Sequence, residues 1–253
     1  MNLDNMDITI DIETVANPIL MDLSKIDAPS NYKDVEKIQA YKLEKQQEER
    51  LKTPLKSLKG FIFCVGLLID GKEYCFSMDN DTLHKYQMWV ETPMFYNDNE
   101  PLLILQEGEK KMLTELDKFI ESLELYLHNP SIIGHYIKSF DLPFLFHRAI
   151  KYNLKNLYNF CNVNRFSKHV FDTHEMFALT DYRNHYSLSD ILEFLGLDNH
   201  KKETNGGMVQ ELFDTMQYDR ITEYCIKDVI AEYNVFNELN KFNYTFKNEN
   251  LNF

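Results

Sequence analysis

The sequence has little cysteine, glycine or proline, and each shortage excludes a class of protein. Its four cysteines are scattered without a C-x-x-C pair, and its eight histidines show no zinc-finger spacing, which predicts reduced thiols. Eight glycines and seven prolines among 253 residues exclude fibrous and low-complexity chains. No apolar run approaches the roughly 20 residues of a membrane span, and no secretory signal opens the chain. We therefore expect a soluble, cytoplasmic protein.

Positive charge is also scarce, because 27 lysines and arginines face 40 acidic residues and give a formal charge of −13. Proteins that bind nucleic acid by charge alone usually carry a basic stripe. A site built from carboxylates is a different case, since bound divalent cations supply positive charge locally. What the chain has in quantity is apolar surface, at 44%, with 18 Phe and 15 Tyr, so we expect a sizeable core.

Strand patterns dominate the first third of the chain. Residues 7–13 alternate, with isoleucines on one face and polar residues on the other, which predicts a strand whose apolar side is the core side. The long apolar run at 61–70 predicts a second strand. It leads through Asp70-Gly71, a hairpin signal, into a third strand-like stretch at 72–78.

Helices and strands alternate further on, which predicts a single α/β domain over 1–253. The order is β-β-β-α-β-α-β-α-α, and its later elements are helix 109–123, strand 131–136, helix 141–152, strand 169–173, helix 187–197 and helix 218–241. Ser187 and Asp190 offer a capping box for the helix that they open. The charged stretch at about 31–59 predicts a solvated helix laid over the sheet. The alternative for that stretch is a flap that closes on substrate.

Two acidic residues on the first strand form the first candidate site. Asp11 and Glu13 are two apart on a strand, so both side chains leave the same polar face. Two carboxylates that point together repel each other unless a cation lies between them, and Mg²⁺ favours oxygen ligands. The chain has two other D-x-E pairs, at 34–36 in the helical stretch and at 98–100 in a turn-like segment, which we interpret as solvated acids.

Further candidates lie in the second half of the chain. Asp141 opens a predicted helix, and taken alone its more common role is helix capping. It also lies just beyond a strand end, where its carboxylate could join the first pair. Tyr224 and Asp228 are four apart and share one face of the last helix, beside a core stripe that includes Ile221 and Cys225. Partial burial of Tyr224 and solvation of Asp228 are the ordinary explanations for these two residues.

Three segments, D-I-E-T at 11–14, G-H-Y-I-K-S-F-D at 134–141 and Y-C-I-K-D-V at 224–229, resemble in order the three motifs of the DEDD 3′–5′ exonucleases. These enzymes belong to the RNase H-like superfamily. The sequence is most similar to stand-alone exonucleases related to the proofreading domain of family B DNA polymerases, often carried by phages and bacteria. The resemblance spans most of the chain and includes the charged stretch. It implies an RNase H-like α/β fold, in which helices flank a central mixed sheet of five strands.

The resemblance also bears on the last motif, for which the chain offers competing candidates. Asp190 is preceded by Tyr186 at four residues and by His185 at five residues, the spacings of the tyrosine and histidine subclasses. However, Asp190 opens a helix that resembles the connector before the last motif in this family. The resemblance therefore favours Tyr224 and Asp228, and with them the tyrosine (DEDDy) subclass.

The mechanism implied by the resemblance uses two divalent metal ions, Mg²⁺ or Mn²⁺, roughly 4 Å apart. Asp11 would bridge both ions, Glu13 and Asp228 would hold the ion beside the attacking water, and Asp141 would hold the second ion largely through water. Tyr224 would orient the attacking water without taking its proton, since an unperturbed tyrosine pKa is near 10. The product would be a nucleoside 5′-monophosphate.

Contacts to substrate are also implied by the resemblance. Thr14 and Phe140 resemble positions that touch the 3′-terminal nucleotide, although Phe140 fits a core position equally well. Tyr136 departs from the family pattern, because an Asn that holds the terminal nucleotide usually occupies its position. Tyr136 could stack on a base or simply pack. Four basic residues could contact phosphates, and nothing in the sequence ranks them: Arg148, Arg165, Lys168 and Arg183.

The expected partner is DNA, most of all a single-stranded 3′ end, with replication or recombination proteins as further partners and with a phage as a possible source. The sequence does not separate this reading from an RNA-trimming exonuclease of the same fold, because discrimination of the 2′-hydroxyl depends on groove shape. A second rival is an inactive RNase H-like domain that binds nucleic acid or a polymerase. Such a domain typically lacks one of the carboxylates, and all four are present here.

Overall fold

A mixed sheet of five strands organises the chain. The computed structural model describes residues 6–20, 22–91, 99–125, 130–164, 166–181 and 183–249, and their side chains as far as residue 241. The strands are β1 (Asp7–Val15), β2 (Phe61–Ile69), β3 (Lys72–Ser77), β4 (Ser131–Gly134) and β5 (Val170–Asp172). Their order across the sheet is β3-β2-β1-β4-β5, with the first three antiparallel and β4 and β5 parallel to β1. This arrangement confirms the predicted fold class.

Helices flank the sheet and bring the later part of the chain back to it. They are α1 (Val35–Leu51), α2 (Asn80–Glu91), α3 (Glu100–Ser122), α4 (Asp141–Tyr152), α5 (Lys155–Cys161), α6 (Thr173–Ala178), α7 (Leu188–Leu195), α8 (Val209–Asp214) and α9 (Tyr218–Glu249). The sequence pattern predicted α1, α3, α4, α7 and α9 but missed the other four. Three of those four have only six or seven residues, which is too short for a clear helical period. Among the described helices none has the length and apolarity needed to cross a membrane.

Local signals placed several element boundaries well. The capping box predicted for α7 is present, since Ser187 accepts from the N–H of Asp190 and Asp190 accepts from the N–H of Ser187. Gly196 ends that helix in the left-handed conformation, as is common after a C-terminal turn. The hairpin between β2 and β3 turns at Asp70 and Gly71, both with positive φ. The second D-x-E pair has a structural role, because Asp34 caps α1, while Asp98 of the third pair lies outside the described residues.

Both faces of β1 are covered, which differs from the sequence prediction. Ile8, Ile10 and Ile12 lie in the core cluster beneath α3 and α4, as expected. The opposite, polar face was not expected to be a core face, yet Thr9 is fully buried and Glu13 is buried. The reason is α9, which contacts β1 and β2 along the face that carries the acidic residues. The polar face of β1 is therefore the floor of an internal site.

Gly66 allows α9 to lie close to the sheet. It pairs with Asp11 across the β1–β2 ladder. A Cβ atom built on Gly66 would be 2.9 Å from the sulfur of Cys225, which is closer than real Cβ contacts allow, and 3.3 Å from a methyl group of Val229, which is tighter than most of them. A glycine on the strand beside Asp11 thus lets the helix approach. The same close approach brings Asp228 of α9 to the acidic residues of β1.

The charged helix α1 is largely exposed, as predicted, and the loop that follows it is firmly attached. Arg148 donates to the carbonyl oxygens of Ser57 and Gly60, and His147 bonds the hydroxyl of Ser57 at 2.9 Å. On the other side, the hydroxyl of Thr14 donates to the carbonyl of Pro54 at 2.9 Å. The loop over residues 53–60, called here the anchored loop, is therefore tied to β1 and to α4.

Candidate active site

Asp11, Glu13 and Asp228 meet at the interface between β1 and α9. One carboxylate oxygen from each lies within 4.8 Å of the others, a spacing that could hold a metal ion. Asp11 and Glu13 are in the middle of β1, and the register of the β1–β2 pair shifts directly after Glu13. Asp228 belongs to α9 and is buried on the face of this helix that packs against the sheet. Residues more than 200 positions apart in sequence thus form one acidic group.

Asp141 joins this group from α4, and its position corrects the capping interpretation. It is the first residue of α4 rather than its N-cap, and the N-cap, Phe140, makes no side-chain capping bond. The Asp141 carboxylate instead accepts a hydrogen bond of 3.0 Å from the backbone N–H of Ile12. Ile12 lies between Asp11 and Glu13, so Asp141 is held against the strand that carries the first pair. It stands outside the tight group of three but faces the same cavity.

An open cavity of about 510 Å³ lies over the carboxylates, within the size range of ligand sites. One side is acidic and the other is largely apolar. The acidic side comprises Asp11, Glu13, Asp141, Asp228 and Glu232, with Lys201 and Tyr224 beside them. The remaining lining residues are Ile12, Leu55, His135, Tyr136, Ser139, Phe140, Leu188 and Gly206. The cavity therefore combines a charged floor with walls that could contact a base or a sugar.

The carboxylates are strongly perturbed because they are buried together. Burial is the largest cause that raises the pKa of Asp11, and repulsion from Cys225 and neighbouring carboxylates adds to it. Burial likewise raises the pKa of Glu13, with Asp228 as the next cause. The pKa of Asp141 is raised to about 8 by burial, although the hydrogen bond from Ile12 opposes the shift. Such a group of acids is unfavourable in its charged form unless cations compensate it.

Lys201 brings a positive charge into the acidic group, and the sequence patterns did not indicate it. Its ammonium group lies 2.7 Å from Oδ2 of Asp228 and 2.7 Å from the hydroxyl of Tyr224. The neighbouring His200 places Nε2 2.5 Å from Oδ1 of Asp228. Both residues lie on a short 3₁₀ turn (His200–Lys202) in the connection before α8. Local sequence held no signal for them, since only the return of the chain along α9 brings this turn to the site.

Tyr224 is nearly buried and its hydroxyl faces the carboxylates. Its pKa is raised well above the ordinary tyrosine value, first by burial and then by repulsion from Asp228, Glu13 and Asp11. The hydroxyl therefore stays protonated at neutral pH. Because Lys201 donates to the hydroxyl oxygen, the O–H of Tyr224 points to another acceptor, and the Asp228 carboxylate is one such acceptor within reach.

The competing candidates at Asp190 lie elsewhere. Asp190 is exposed, and its carboxylate is used in the capping box with Ser187. Nδ1 of His185 forms a hydrogen bond of 2.9 Å with the hydroxyl of Tyr136. The structure thus brings Tyr224 and Asp228, rather than Asp190, to the carboxylates of β1.

Tyr136 and Phe140 both line the cavity, from the turn between β4 and α4. Tyr136 has a left-handed backbone, with φ of 58°, and its N–H donates to Asp172 at 3.1 Å. Its ring stacks on the ring of His174, with centroids 4.0 Å apart. Phe140 packs against Phe144 of the core and also lines the cavity, so it remains a candidate for contact with substrate.

Thr14 is the exception among the expected substrate contacts. It is buried, its hydroxyl donates to Pro54 of the anchored loop, and it does not line the cavity. The residue that reaches the cavity from this side is Leu55, one position after Pro54. Leu55 lines the cavity although 72% of its surface is exposed. Sequence patterns missed Leu55, since an exposed leucine in a charged stretch carries no signal of its own.

The four basic residues proposed for phosphate contacts differ in their surroundings. Arg148 is buried, pairs with Glu109 at 2.7 Å and holds the anchored loop, so it is not available to substrate. Lys168 is exposed and lies just before β5. The first residue of β5 pairs with Ile132, near the start of β4, whereas the site lies beyond the end of β4. Lys168 is therefore at the end of the sheet away from the site. Arg183 is exposed two residues before His185. Arg165 lies outside the described residues.

Comparison with known protein families places a match in the second part of the chain. A family model described as a predicted 3′–5′ exonuclease related to the exonuclease domain of PolB matches residues 101–252, more than half of the chain. The matched part contains Asp141, Tyr224 and Asp228, whereas β1 with Asp11 and Glu13 precedes it. Comparison with curated proteins gave no match.

Proposed function

The chain belongs to the family of predicted 3′–5′ exonucleases related to the exonuclease domain of PolB, and we propose that it removes nucleotides from the 3′ end of single-stranded DNA in a reaction that depends on divalent metal ions. The observation that carries this proposal is the convergence of Asp11, Glu13 and Asp228, with Asp141 beside them, at the floor of an open cavity. Of these four, Asp11 and Glu13 lie outside the part of the chain that matches the family. Their position in the cavity therefore supports the proposal independently of that match.

The residues of the site fit divalent cations. Carboxylate oxygens are the ligands that Mg²⁺ and Mn²⁺ prefer. Burial and mutual repulsion raise the pKa values of Asp11, Glu13 and Asp141, and a bound divalent cation would offset this repulsion. When bound, two such ions would supply a reactive water at neutral pH and stabilise charge on the attacked phosphate and the leaving oxygen.

Each residue has a distinct task in this proposal. Asp11, Glu13 and Asp228 would hold one cation, and Asp11 and Asp141 would hold the second. Lys201 and His200 fix the Asp228 carboxylate through its two oxygens, so that its orientation is set before substrate binds. Tyr224 would donate a hydrogen bond to the attacking water and orient it toward the phosphorus. Its raised pKa makes it unsuited to act as a base.

The apolar side of the cavity suits the terminal nucleotide of a single strand. Among the residues that line the cavity, Tyr136 and Phe140 offer aromatic surface and Leu55 of the anchored loop offers aliphatic surface. Aromatic stacking on bases is tolerant of sequence, as an exonuclease requires.

The experiment that tests this proposal digests an end-labelled single-stranded DNA in Mg²⁺ or Mn²⁺, beside RNA and duplex DNA of the same sequence. We expect a ladder that shortens from the 3′ end, releases nucleoside 5′-monophosphates and stops in EDTA. Asp11→Asn and Asp228→Asn should each reduce the rate by at least about 10³-fold, since each removes a ligand charge.

A matched control separates loss of the site from general damage. Asp190→Asn changes an exposed aspartate of the competing motif and keeps an acceptor for the capping box, so its rate should equal that of the wild type. Wild-type rates in Asp11→Asn and Asp228→Asn would contradict the proposal. Preferential trimming of RNA would reassign the substrate class and leave the metal-dependent reaction in place.

A further inference from the structure

Glu232 is a fifth carboxylate in the cavity that belongs to none of the sequence motifs. It lies one helical turn after Asp228 and two turns after Tyr224, so α9 presents these three side chains along one face. Only 2% of Glu232 is exposed, and it lines the cavity over the metal ligands. A glutamate so deeply buried is rare unless it is paired.

One oxygen of Glu232 has no protein partner. Oε2 is buried and makes no hydrogen bond, whereas the backbone N–H of His135 stabilises the carboxylate. An unpartnered buried carboxylate oxygen is costly, since it has lost its water and gained nothing in exchange. Burial raises the pKa of Glu232, so without a cation the carboxyl takes up a proton, whereas a cation bound at that oxygen would compensate the ionised form.

The neighbours of Glu232 indicate which part of the site it serves. Among the carboxylates around it, Asp141 exerts the strongest repulsion and Asp228 the next strongest. Repulsion from Glu232 in turn raises the pKa of Asp11 more than repulsion from Glu13 does. Like Asp141, Glu232 lines the cavity but stands outside the tight group formed by Asp11, Glu13 and Asp228.

The charge of the cavity agrees with this placement. Its lining residues include five carboxylates and one ammonium group, that of Lys201, which leaves four formal negative charges. Two divalent cations would balance these charges. Without Glu232 the same two cations would leave the site with an excess of positive charge before a phosphate is bound.

We propose that Glu232 is a further metal ligand, which completes the coordination of the cation held by Asp11 and Asp141. This inference rests on the proposed function. It implies that the second cation is held by three carboxylates of the protein and binds before substrate, instead of arriving with it.

The test measures Mn²⁺ binding directly, by isothermal titration calorimetry and by electron paramagnetic resonance, in the full chain without nucleic acid. We expect two Mn²⁺ ions per wild-type chain. Glu232→Gln keeps the size of the side chain and an acceptor for the N–H of His135. It should lower the affinity for the second ion at least about tenfold and leave the affinity for the first within about twofold of the wild type. Glu223→Gln, an exposed change on the same helix, is the matched control and should bind like the wild type.

A second variant guards against a folding defect. Glu232→Asp retracts the carboxylate by one methylene and keeps its charge, so it should weaken the second ion less than Glu232→Gln. Equal binding of both ions by the wild type and Glu232→Gln would overturn this inference alone, with the nuclease proposal intact. Absence of Mn²⁺ binding in the wild type would overturn both.

Discussion

Asp141 accepts a hydrogen bond of 3.0 Å from the backbone N–H of Ile12, a residue 129 positions earlier in the chain. The bond crosses from the first residue of α4 to the centre of β1, between Asp11 and Glu13. It fixes the distance between two acidic motifs through the backbone rather than through their side chains. The geometry of the site therefore depends on this contact even before any cation binds.

The first prediction separates the charge of Asp141 from its hydrogen bond. Asp141→Asn keeps an oxygen that accepts from Ile12 and removes a buried charge, so its metal-free melting temperature should equal or exceed that of the wild type. Asp141→Ala leaves the N–H of Ile12 without a partner and should lose about 1–3 kcal/mol of stability. Both variants should lose at least about 10²-fold in nuclease rate. Thermal unfolding in EDTA and the DNA ladder assay measure the two effects, and a stable Asp141→Ala protein would contradict the role of the bond.

The second prediction concerns Tyr224. Tyr224→Phe keeps the buried ring and removes the hydroxyl, so Mn²⁺ affinity should stay within about twofold while kcat falls roughly 10²-fold. Since the pKa of Tyr224 is raised, the shape of the pH–rate profile should not change. Lost metal binding would instead assign Tyr224 a structural role. Single-turnover digestion across pH, with calorimetry of Mn²⁺ binding, distinguishes these outcomes.

The third prediction concerns the internal cation Lys201. Lys201→Met leaves the acidic group without its ammonium, so the metal-free protein should melt at least about 4 °C lower. Saturating Mn²⁺ should recover most of this loss, because the ions supply the missing charge. Lys202→Met changes an adjacent lysine whose nearest acidic partner, Glu193, is 3.9 Å away, and it should have no effect. An equal melting temperature of Lys201→Met and the wild type in EDTA would show that the contacts of Lys201 add no stability.

The fourth prediction is that stability depends on pH in the metal-free protein and that bound metal ions largely abolish this dependence. The pKa of Asp141 rises from an ordinary 3.8 to about 8 in the folded chain, and those of Asp11 and Glu13 also rise. Between pH 3.8 and about pH 8 the folded chain binds more protons at Asp141 than the unfolded chain does, so stability falls as pH rises. His135, whose pKa is lowered from 6.5 to about 3, has the opposite effect, but only below about pH 6.5.

The window that isolates the carboxylates therefore runs from about pH 6.5 to 8. In EDTA the melting temperature should fall across this window, and in saturating Mn²⁺ the fall should be much smaller because the cations hold the carboxylates ionised. Asp141→Asn should reduce the slope in EDTA. A melting temperature that rises with pH in EDTA would show that the acids are not perturbed in this way.

The fifth prediction tests the wall formed by the anchored loop. Leu55 and Leu58 are both highly exposed, at 72% and 80%, but only Leu55 lines the cavity. Leu55→Ser should raise KM for a single-stranded oligonucleotide about fivefold, for roughly 1 kcal/mol of lost apolar contact. Leu58→Ser should change neither KM nor kcat. Identical kinetics for both variants would remove the loop from the substrate site.

Much of the local structure follows from the sequence itself. The alternation of Ile8, Ile10 and Ile12 predicted β1 and its core face, and helix 141–152 was predicted with the bounds that it has in the structure. The short helices were missed, because six or seven residues show less than two full turns of a pattern. The burial of the acidic face of β1 was also missed, since nothing near β1 in the sequence shows that α9 covers it.

The sequence by itself determined which residues could act, because spacing on a strand or a helix depends only on covalent neighbours. Asp11 with Glu13, and Tyr224 with Asp228, share faces for this reason. Only the tertiary structure decided which of the many acids meet, because that depends on packing between distant elements, such as the close approach of α9 that Gly66 allows. The same packing buried Arg148, turned Thr14 toward the anchored loop, and brought Lys201 and Glu232 to a site that no local pattern assigned to them.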